Sequence, residues 1–213
     1  MQNVSKTLYI PLYGKAFVSS RGIILSDPTA ERIWQQEGFA LKGKARSKWL
    51  AYSMSMRASV FDSWLRDQLA KTPDAVVLHI GCGMDSRVCR LAEARMRCRW
   101  YDIDFPDVIA ERKRYYTEDE QYRMLAGDAT KPEWLGQIPA CANAIVVMEG
   151  LSMYLPYPAL TGLLCALRSH FGKVVALMDC YTTFGAKASK YKNPINTVGV
   201  TKTYGIDEPV QLA

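Results

Sequence analysis

The stretch AVVLHIGCG at residues 75–83 decides the fold. Residues 75–80 form a short continuous apolar run, which predicts a strand buried on both faces. Strands of this kind belong to parallel sheets, whose helices cover both faces. The glycines at 81 and 83 close the run, and without a Cβ they let a ligand approach the backbone. The stretch therefore predicts the central strand of an α/β domain, with a ligand-binding bend at its end.

Apolar strands and helical segments alternate onwards from this stretch. The pattern predicts further strands over 99–103, 122–126, 144–148 and 173–180, and helices over 85–94, 106–116 and 158–171. This order is typical of a Rossmann-like, mostly parallel sheet with helices on both faces. Ligands of such sheets bind beyond the carboxyl ends of the strands. We therefore expect function at residues 81–85, 102–105, 127–129 and 149–154.

The region before the first strand is predicted to be helical. Asp27 followed by Pro28 is typical of a helix start, and apolar residues between 44 and 71 recur at helical spacing. We therefore divide the chain into an N-terminal helical extension, residues 1–72, and a ligand-binding domain, residues 73–213.

The composition excludes several classes of protein. With 213 residues, 49% of them hydrophobic and 23% charged, the chain is neither fibrous nor disordered. No apolar run approaches the roughly 20 residues that span a bilayer, and no signal pattern opens the chain, so a cytoplasmic protein is predicted. Six cysteines without a C-x-x-C pair, and two histidines, favour buried free thiols and no metal site.

The net charge of +6 lies in the N-terminal extension. Residues 1–72 contain 11 Lys or Arg and 5 Asp or Glu, whereas residues 73–213 contain 16 of each. Lys42, Lys44, Arg46 and Lys48 could bind phosphates or nucleic acid, but their spacing forms no single helical stripe. A solvated surface is favoured, so a nucleic-acid partner is not expected.

Acidic residues follow the second strand. Asp104 lies 23 residues beyond Gly81, close to the spacing at which a carboxylate receives ribose hydroxyls. Asp102 is a rival for this role, and Asp104 could instead cap the helix that begins at Pro106. Ser86 replaces the third glycine of a dinucleotide fingerprint, which weakens the case for a pyrophosphate.

Two further carboxylates complete the pattern. Asp128 follows the third strand and can accept a hydrogen bond from an adenine amine. Glu149 follows five apolar residues, a placement that is costly without a partner. Together these residues outline a positively charged nucleoside cofactor without phosphate. S-adenosylmethionine fits this description, and NAD fits it less well.

Six stretches resemble the motifs of one family, the leucine carboxyl methyltransferases and polyketide O-methyltransferases of class I. They are SDPTA (26–30), MRASVFDSWL (56–65), PDAVVLHIGCGMDSRVCRL (73–91), YDIDFPDVIAERKR (101–114), GDATKPEW (127–134) and VVMEGLSMYL (146–155). The resemblance covers about residues 6 to 210. It implies S-adenosylmethionine as methyl donor and S-adenosylhomocysteine as product.

The resemblance also implies roles for single residues. Arg57 would bind the cofactor carboxylate, with Lys15 as a second cation. The remaining cofactor contacts would come from the bend Gly81, Cys82 and Gly83 under the methionine portion, Asp104 at the ribose, Asp128 and Ala129 at the adenine, and Glu149 at the methionyl end. Family members continue through a two-stranded hairpin that residues 181–213 do not supply. The chain is therefore predicted either to be truncated or to have its fifth-strand edge covered by another chain, as in a homo-oligomer.

The reaction implied is O-methylation of a carboxylate or phenolic oxygen of a small molecule, as in polyketide metabolism. Neither His79, within a strand, nor His170, at a helix end, is well placed as a base, which favours an acidic oxygen as acceptor. Tyr154 is the candidate for orienting the acceptor, with core packing as the alternative. The other hypotheses are a protein C-terminal carboxyl methyltransferase, a nucleic-acid methyltransferase and a non-catalytic module that binds the cofactor.

Overall fold

The structure is a computed structural model that describes residues 8–37, 47–192 and 202–212. Its strands are β1 (Val76–Ile80), β2 (Arg99–Asp104), β3 (Tyr122–Ala126), β4 (Asn143–Met148) and β5 (Lys173–Met178). Its α-helices are α1 (Tyr9–Ser19), α2 (Pro28–Glu37), α3 (Lys48–Lys71), α4 (Arg87–Arg90), α5 (Pro106–Arg112), α6 (Tyr157–His170) and α7 (Thr183–Lys192). Short 3-10 turns cover Ala94–Arg97, Pro132–Gln137, Ser152–Tyr154 and Pro209–Leu212.

The five strands form one parallel sheet in the order β3-β2-β1-β4-β5. Val77 of β1 pairs with Trp100 of β2 on one side and with Ile145 of β4 on the other. The chain therefore starts in the middle of the sheet, builds one half and then crosses to the other. The predicted Rossmann-like parallel sheet is confirmed.

Alternate residues of β1 are buried in two apolar layers on opposite faces of the sheet. Val77 packs in a layer with Phe61 and Leu65 of α3. Val76 and Leu78 face the opposite layer, with Leu160, Leu163 and Leu167 of α6. All five residues of β1 are buried, as its unbroken apolar run predicts.

Side-chain caps start two of the N-terminal helices. The Asp27 Oδ1 accepts the Ala30 N–H at 2.9 Å, which confirms the predicted start of α2. The Ser47 hydroxyl accepts the Leu50 N–H, so α3 begins at Lys48. Of the predicted 44–71 helix, residues 44–46 lie outside the described residues, as do Lys42, Lys44 and Arg46 of the basic run. The sequence predicts a helical extension over residues 1–72 but no separate helix at the position of α1, and it does not predict α7.

Several predicted boundaries are wrong. The helix expected over 85–94 begins at Arg87 and ends at Arg90, and a 3-10 turn over Ala94–Arg97 follows it. The helix expected to reach 116 ends at Arg112, and the fifth strand ends at Met178 rather than at 180. The cysteines are free, but only Cys82 and Cys98 are buried, since Cys89 and Cys165 lie on exposed helix positions and Cys141 and Cys180 are half-buried.

One of the two edge strands of the sheet is β5, whose residues are half-buried or exposed. No strand follows β5 within 179–192 or 202–212. Coverage of this edge by another chain therefore stays a prediction. Among the described helices none is both long enough and apolar enough to cross a membrane.

Candidate functional site

A cavity of about 590 Å³ opens at the carboxyl ends of β1 and β4. This volume is ordinary for a small-molecule site. Its walls come from α1, α3 and α7 and from the loops after β1 and β4. Of the predicted site residues it is lined by Lys15, Arg57, Gly81, Cys82, Gly83, Glu149 and Tyr154. The cavity therefore lies at strand ends where the sequence predicts a site.

The floor of the cavity is the glycine bend after β1. Gly81 and Gly83 have φ angles of 71° and 51°, which favour glycine. A Cβ on Gly83 would lie 3.0 Å from a methyl carbon of Leu8, so the bend is also closely covered. The Gly83 N–H donates to Asp104 Oδ2 at 2.8 Å. The bend thus lines the cavity, is packed against Leu8 and Leu151, and is held by β2.

Arg57 of α3 crosses the cavity to two strand-end carboxylates. Its Nε donates to Glu149 Oε1 at 3.0 Å and its Nη1 to Asp179 Oδ2 at 2.8 Å. Burial would lower the pKa of Arg57, but these two carboxylates prevail and raise it. Arg57 is therefore paired with acids rather than free at the surface. Its side chain is 27% exposed and lines the cavity.

Glu149 is also held from behind by Arg87 of α4. Arg87 is fully buried and donates through Nη2 to Glu149 Oε2 and through Nε to Asp62 Oδ1 at 2.7 Å. Burial opposes ionisation of Glu149, but Lys15, Arg87 and Arg57 prevail and lower its pKa to about 2. Glu149 therefore has the partner that its position requires, and it is ionised at neutral pH.

Lys15 of α1 adds a second cation. Its Nζ lies 3.3 Å from Asp85 Oδ2, and its side chain is only 2% exposed. Burial would raise the pKa of Asp85, but Arg87, Arg90 and Lys15 prevail and lower it well below its usual range. The polar end of the cavity is thus a set of alternating buried charges, two of them cations on the N-terminal helices.

The two aspartates of β2 face different environments. Asp102 is fully buried, and its carboxylate accepts from Trp100 Nε1 at 2.8 Å, from Tyr122 Oη at 2.6 Å and from Arg112. Asp104 is only half-buried, and its carboxylate accepts hydrogen bonds from the Gly83 and Phe105 N–H groups. Burial raises the pKa of Asp104. The geometry therefore favours Asp104 over Asp102 as a ligand-binding residue.

Asp128 and Ala129 lie at the neighbouring strand end. They do not line the cavity, and Asp104 contributes to it only through Gly83. The Asp128 Oδ1 accepts the Thr130 N–H at 2.8 Å, so the carboxylate closes its own turn. A Cβ on Gly127 would lie 2.6 Å from Trp134 Cδ1, which explains the glycine before Asp128. Their predicted contacts with adenine stay a prediction.

His79 cannot serve as a base in this arrangement. A guanidinium only donates, so Arg87 Nη1, 3.1 Å away, occupies the lone pair of His79 Nε2. The ring proton then lies on Nδ1, 3.2 Å from Asp102 Oδ1. This tautomer is assigned from the partners.

Sequence reasoning missed three residues that hold the site together. Arg87 and Asp62 stand inside quoted motifs, but an arginine and an acid on two helices give no sign that they pair. Asp179 directly follows β5, so the strand-end rule applied to that strand would have found it. It accepts the Gly150 N–H at 2.6 Å as well as Arg57. Within the described ranges, no group of three His, Cys, Asp or Glu side chains could hold a metal ion.

The chain resembles known methyltransferases in sequence. It is 31% identical over 213 residues to the tetracenomycin polyketide synthesis O-methyltransferase TcmP of Streptomyces glaucescens, covering all of this chain and 78% of the relative. It is 26% identical over 238 residues to the S-adenosyl-L-methionine-dependent methyltransferase dpfgK of Gibberella zeae, again covering all of this chain and 78% of the relative. A crystal structure of a putative caffeoyl-CoA O-methyltransferase from Staphylococcus aureus aligns with 9% identity and a TM-score of 0.46, over 71% of this chain and 65% of that chain.

A family model matches most of the chain. The model described as leucine carboxyl methyltransferase matches residues 3–167, which include the N-terminal helices, the glycine bend and the Glu149 loop. The predictions of a methyltransferase and of S-adenosylmethionine as its cofactor agree with this match and with both relatives. The chain belongs to the leucine carboxyl methyltransferase family.

Proposed function

We propose that the protein transfers a methyl group from S-adenosylmethionine to a carboxylate or phenolic oxygen of a small molecule. The observation that carries this proposal is the polar end of the cavity. There the Arg57 and Lys15 cations alternate with the Glu149 and Asp85 carboxylates beside the glycine bend. Such a site offers both signs of charge to a ligand that itself bears an ammonium, a carboxylate and a sulfonium.

The residues fit this cofactor one by one. The accessible guanidinium of Arg57 suits the cofactor carboxylate, and Glu149, ionised at neutral pH, suits the methionyl ammonium. We assign the methionine portion to the bend of Gly81, Cys82 and Gly83, which lines the cavity. We assign the ribose to Asp104 and the adenine to Asp128 and Ala129. When bound, the cofactor supplies an electrophilic methyl group.

The titratable groups favour an acceptor that is already ionised. The neighbouring cations prevail over burial and lower the pKa values of Asp85 and Glu149, so both carboxylates are weak bases, and the His79 lone pair is occupied. A neutral alcohol would need a base to take its proton, whereas a carboxylate or phenolate needs only positioning in line with the methyl group. The acceptor oxygen forms the new bond to carbon while the carbon–sulfur bond breaks and sulfur keeps the electron pair.

Acceptor identity rests on similarity and on cavity size. The relative from Streptomyces is by its name an O-methyltransferase of tetracenomycin polyketide synthesis. A cavity of about 590 Å³ that also takes the cofactor suits a small acceptor. We assign orientation of the acceptor to Tyr154, which lines the cavity beyond Glu149. The boundary at residue 72 then separates a helical wall, which supplies Lys15 and Arg57, from the cofactor-binding sheet.

Calorimetry of Asp104→Ala tests the cofactor site. The full chain should bind S-adenosylmethionine and S-adenosylhomocysteine, and the variant should lose about tenfold or more in affinity, because a carboxylate that accepts from hydroxyls contributes about 1.5–3 kcal/mol. Asp67→Ala, an exposed change on α3, serves as the matched control. An unchanged affinity in Asp104→Ala would remove the ribose assignment, and binding of NAD instead would remove the cofactor assignment.

A further inference from the structure

The cavity is polar at one end and apolar at the other. On α3 its lining runs from Arg57 back to Trp49, eight residues earlier and about 12 Å away along the helix axis. On α1 it runs from Lys15 back to Pro11, four residues earlier and about 6 Å away along the helix axis. Both helices therefore present a cation at the sheet and apolar side chains one to two turns earlier.

The apolar end is formed by side chains suited to an aromatic ligand. Leu50 and Met54 of α3 line it with Pro11 of α1. Trp49, at its rim, is 75% exposed, although indole is among the side chains that gain most from burial. The other described tryptophans are buried or half-buried: Trp34, Trp64, Trp100 and Trp134. An exposed indole that lines a cavity is open to contact with a ligand bound there.

The distribution of charge limits what that ligand can be. The described residues of formal charge that line the cavity are Lys15, Arg57, Asp85 and Glu149, and all four are engaged in ion pairs at the polar end. The wall of α7 presents Gly185, Ala188 and Ser189, none of which is charged. An uncharged surface beside an indole suits a flat ring system better than a polar peptide backbone.

We propose that Trp49, Leu50 and Met54 form the acceptor subsite, and that it takes a fused aromatic carboxylic acid or phenol stacked on the indole of Trp49. This inference rests on the proposed function, because it assumes that the reacting oxygen points toward the polar end. Stacking on an aromatic ring and contact with the Met54 sulfur favour planar π systems over aliphatic chains. Trp49 is thus a specificity-determining residue.

The test uses 6-hydroxy-2-naphthoic acid, which carries both kinds of acceptor oxygen. The full chain is saturated with S-adenosylhomocysteine and titrated with this probe, by calorimetry and by tryptophan fluorescence. Trp49→Ala should weaken the affinity by about tenfold, whereas Trp49→Phe should keep most of it, because stacking survives. Val60→Ala, an exposed apolar change on the same helix that does not line the cavity, is the control.

Three results would overturn the inference. The first is that Trp49→Ala and the unchanged chain bind the probe with equal affinity. The second is that the fluorescence of Trp49, taken as the difference between the unchanged chain and Trp49→Phe, does not change on titration. The third is that the chain binds a leucine-terminated peptide but not the naphthoic acid. Affinity for S-adenosylhomocysteine is measured in every variant. If S-adenosylhomocysteine binds normally and any of these three results is found, only the proposed subsite is wrong. If the unchanged chain does not bind S-adenosylhomocysteine, the proposed function is wrong.

Discussion

Replacing Glu149 by Gln would remove the one carboxylate that Arg57 and Arg87 share. The substitution keeps the shape of the side chain but leaves the fully buried Arg87 with Asp62 and Asp85 as its remaining acidic partners. Arg57 would keep Asp179. We therefore expect a folded but less stable protein.

The pKa of Glu149 sets the size of the effect. Its lowering from 4.5 to about 2 corresponds to about 3 kcal/mol of stability at neutral pH. The loss of one partner from a buried ion pair costs a similar amount, about 3–5 kcal/mol. Because the folded-state pKa lies below the unfolded-state value, this stabilisation is fully present above about pH 4.5 and is lost as the pH falls toward 2.

Urea unfolding of the two proteins at several pH values measures this contribution. The difference in unfolding free energy should be about 3 kcal/mol at pH 7, nearly the same at pH 5 and about 2 kcal/mol at pH 3.5. Glu133→Gln, on an exposed 3-10 turn, should change stability by less than about 0.5 kcal/mol throughout. A Glu149→Gln difference that is absent at pH 7, or that grows as the pH falls, would refute the assignment of Glu149 as a buried anion held by two arginines.

Two smaller changes test the packing around the strand ends. Gly127→Ala would push a Cβ to 2.6 Å from Trp134, and we expect a loss of about 1–3 kcal/mol by urea unfolding, whereas Gly136→Ala, where a Cβ meets nothing within 4 Å, should be neutral. Ser86→Ala removes the hydroxyl that donates to Asp27 Oδ1 at 2.6 Å and should cost about 1–3 kcal/mol, because a buried acceptor loses a donor. A melting temperature of Ser86→Ala equal to that of the unchanged chain would show that this bond contributes nothing.

The serine at 86 also shows where reading the sequence falls short. As a replacement for a glycine it weakened the case for a pyrophosphate, and that interpretation agrees with the family match. The hydrogen bond that Ser86 donates could not be predicted from the sequence, because its partner, Asp27, lies 59 residues earlier. The same holds for Arg87 and Arg90, which bind Asp62 across 25 and 28 residues.

The succession of strands and helices along the chain, the strand ends at which function is expected and the residue types found there are local properties, and the sequence by itself predicted them. An apolar run and the glycine or acid at its end are adjacent along the chain, so period and spacing suffice to find them. Only the tertiary structure decided which charges meet. The pairing of Arg57 with Glu149 and Asp179, the buried position of Arg87 and the apolar rim at Trp49 depend on how α1, α3 and α4 pack on the sheet. Side chains far apart along the chain become partners through that packing, and no spacing rule records it.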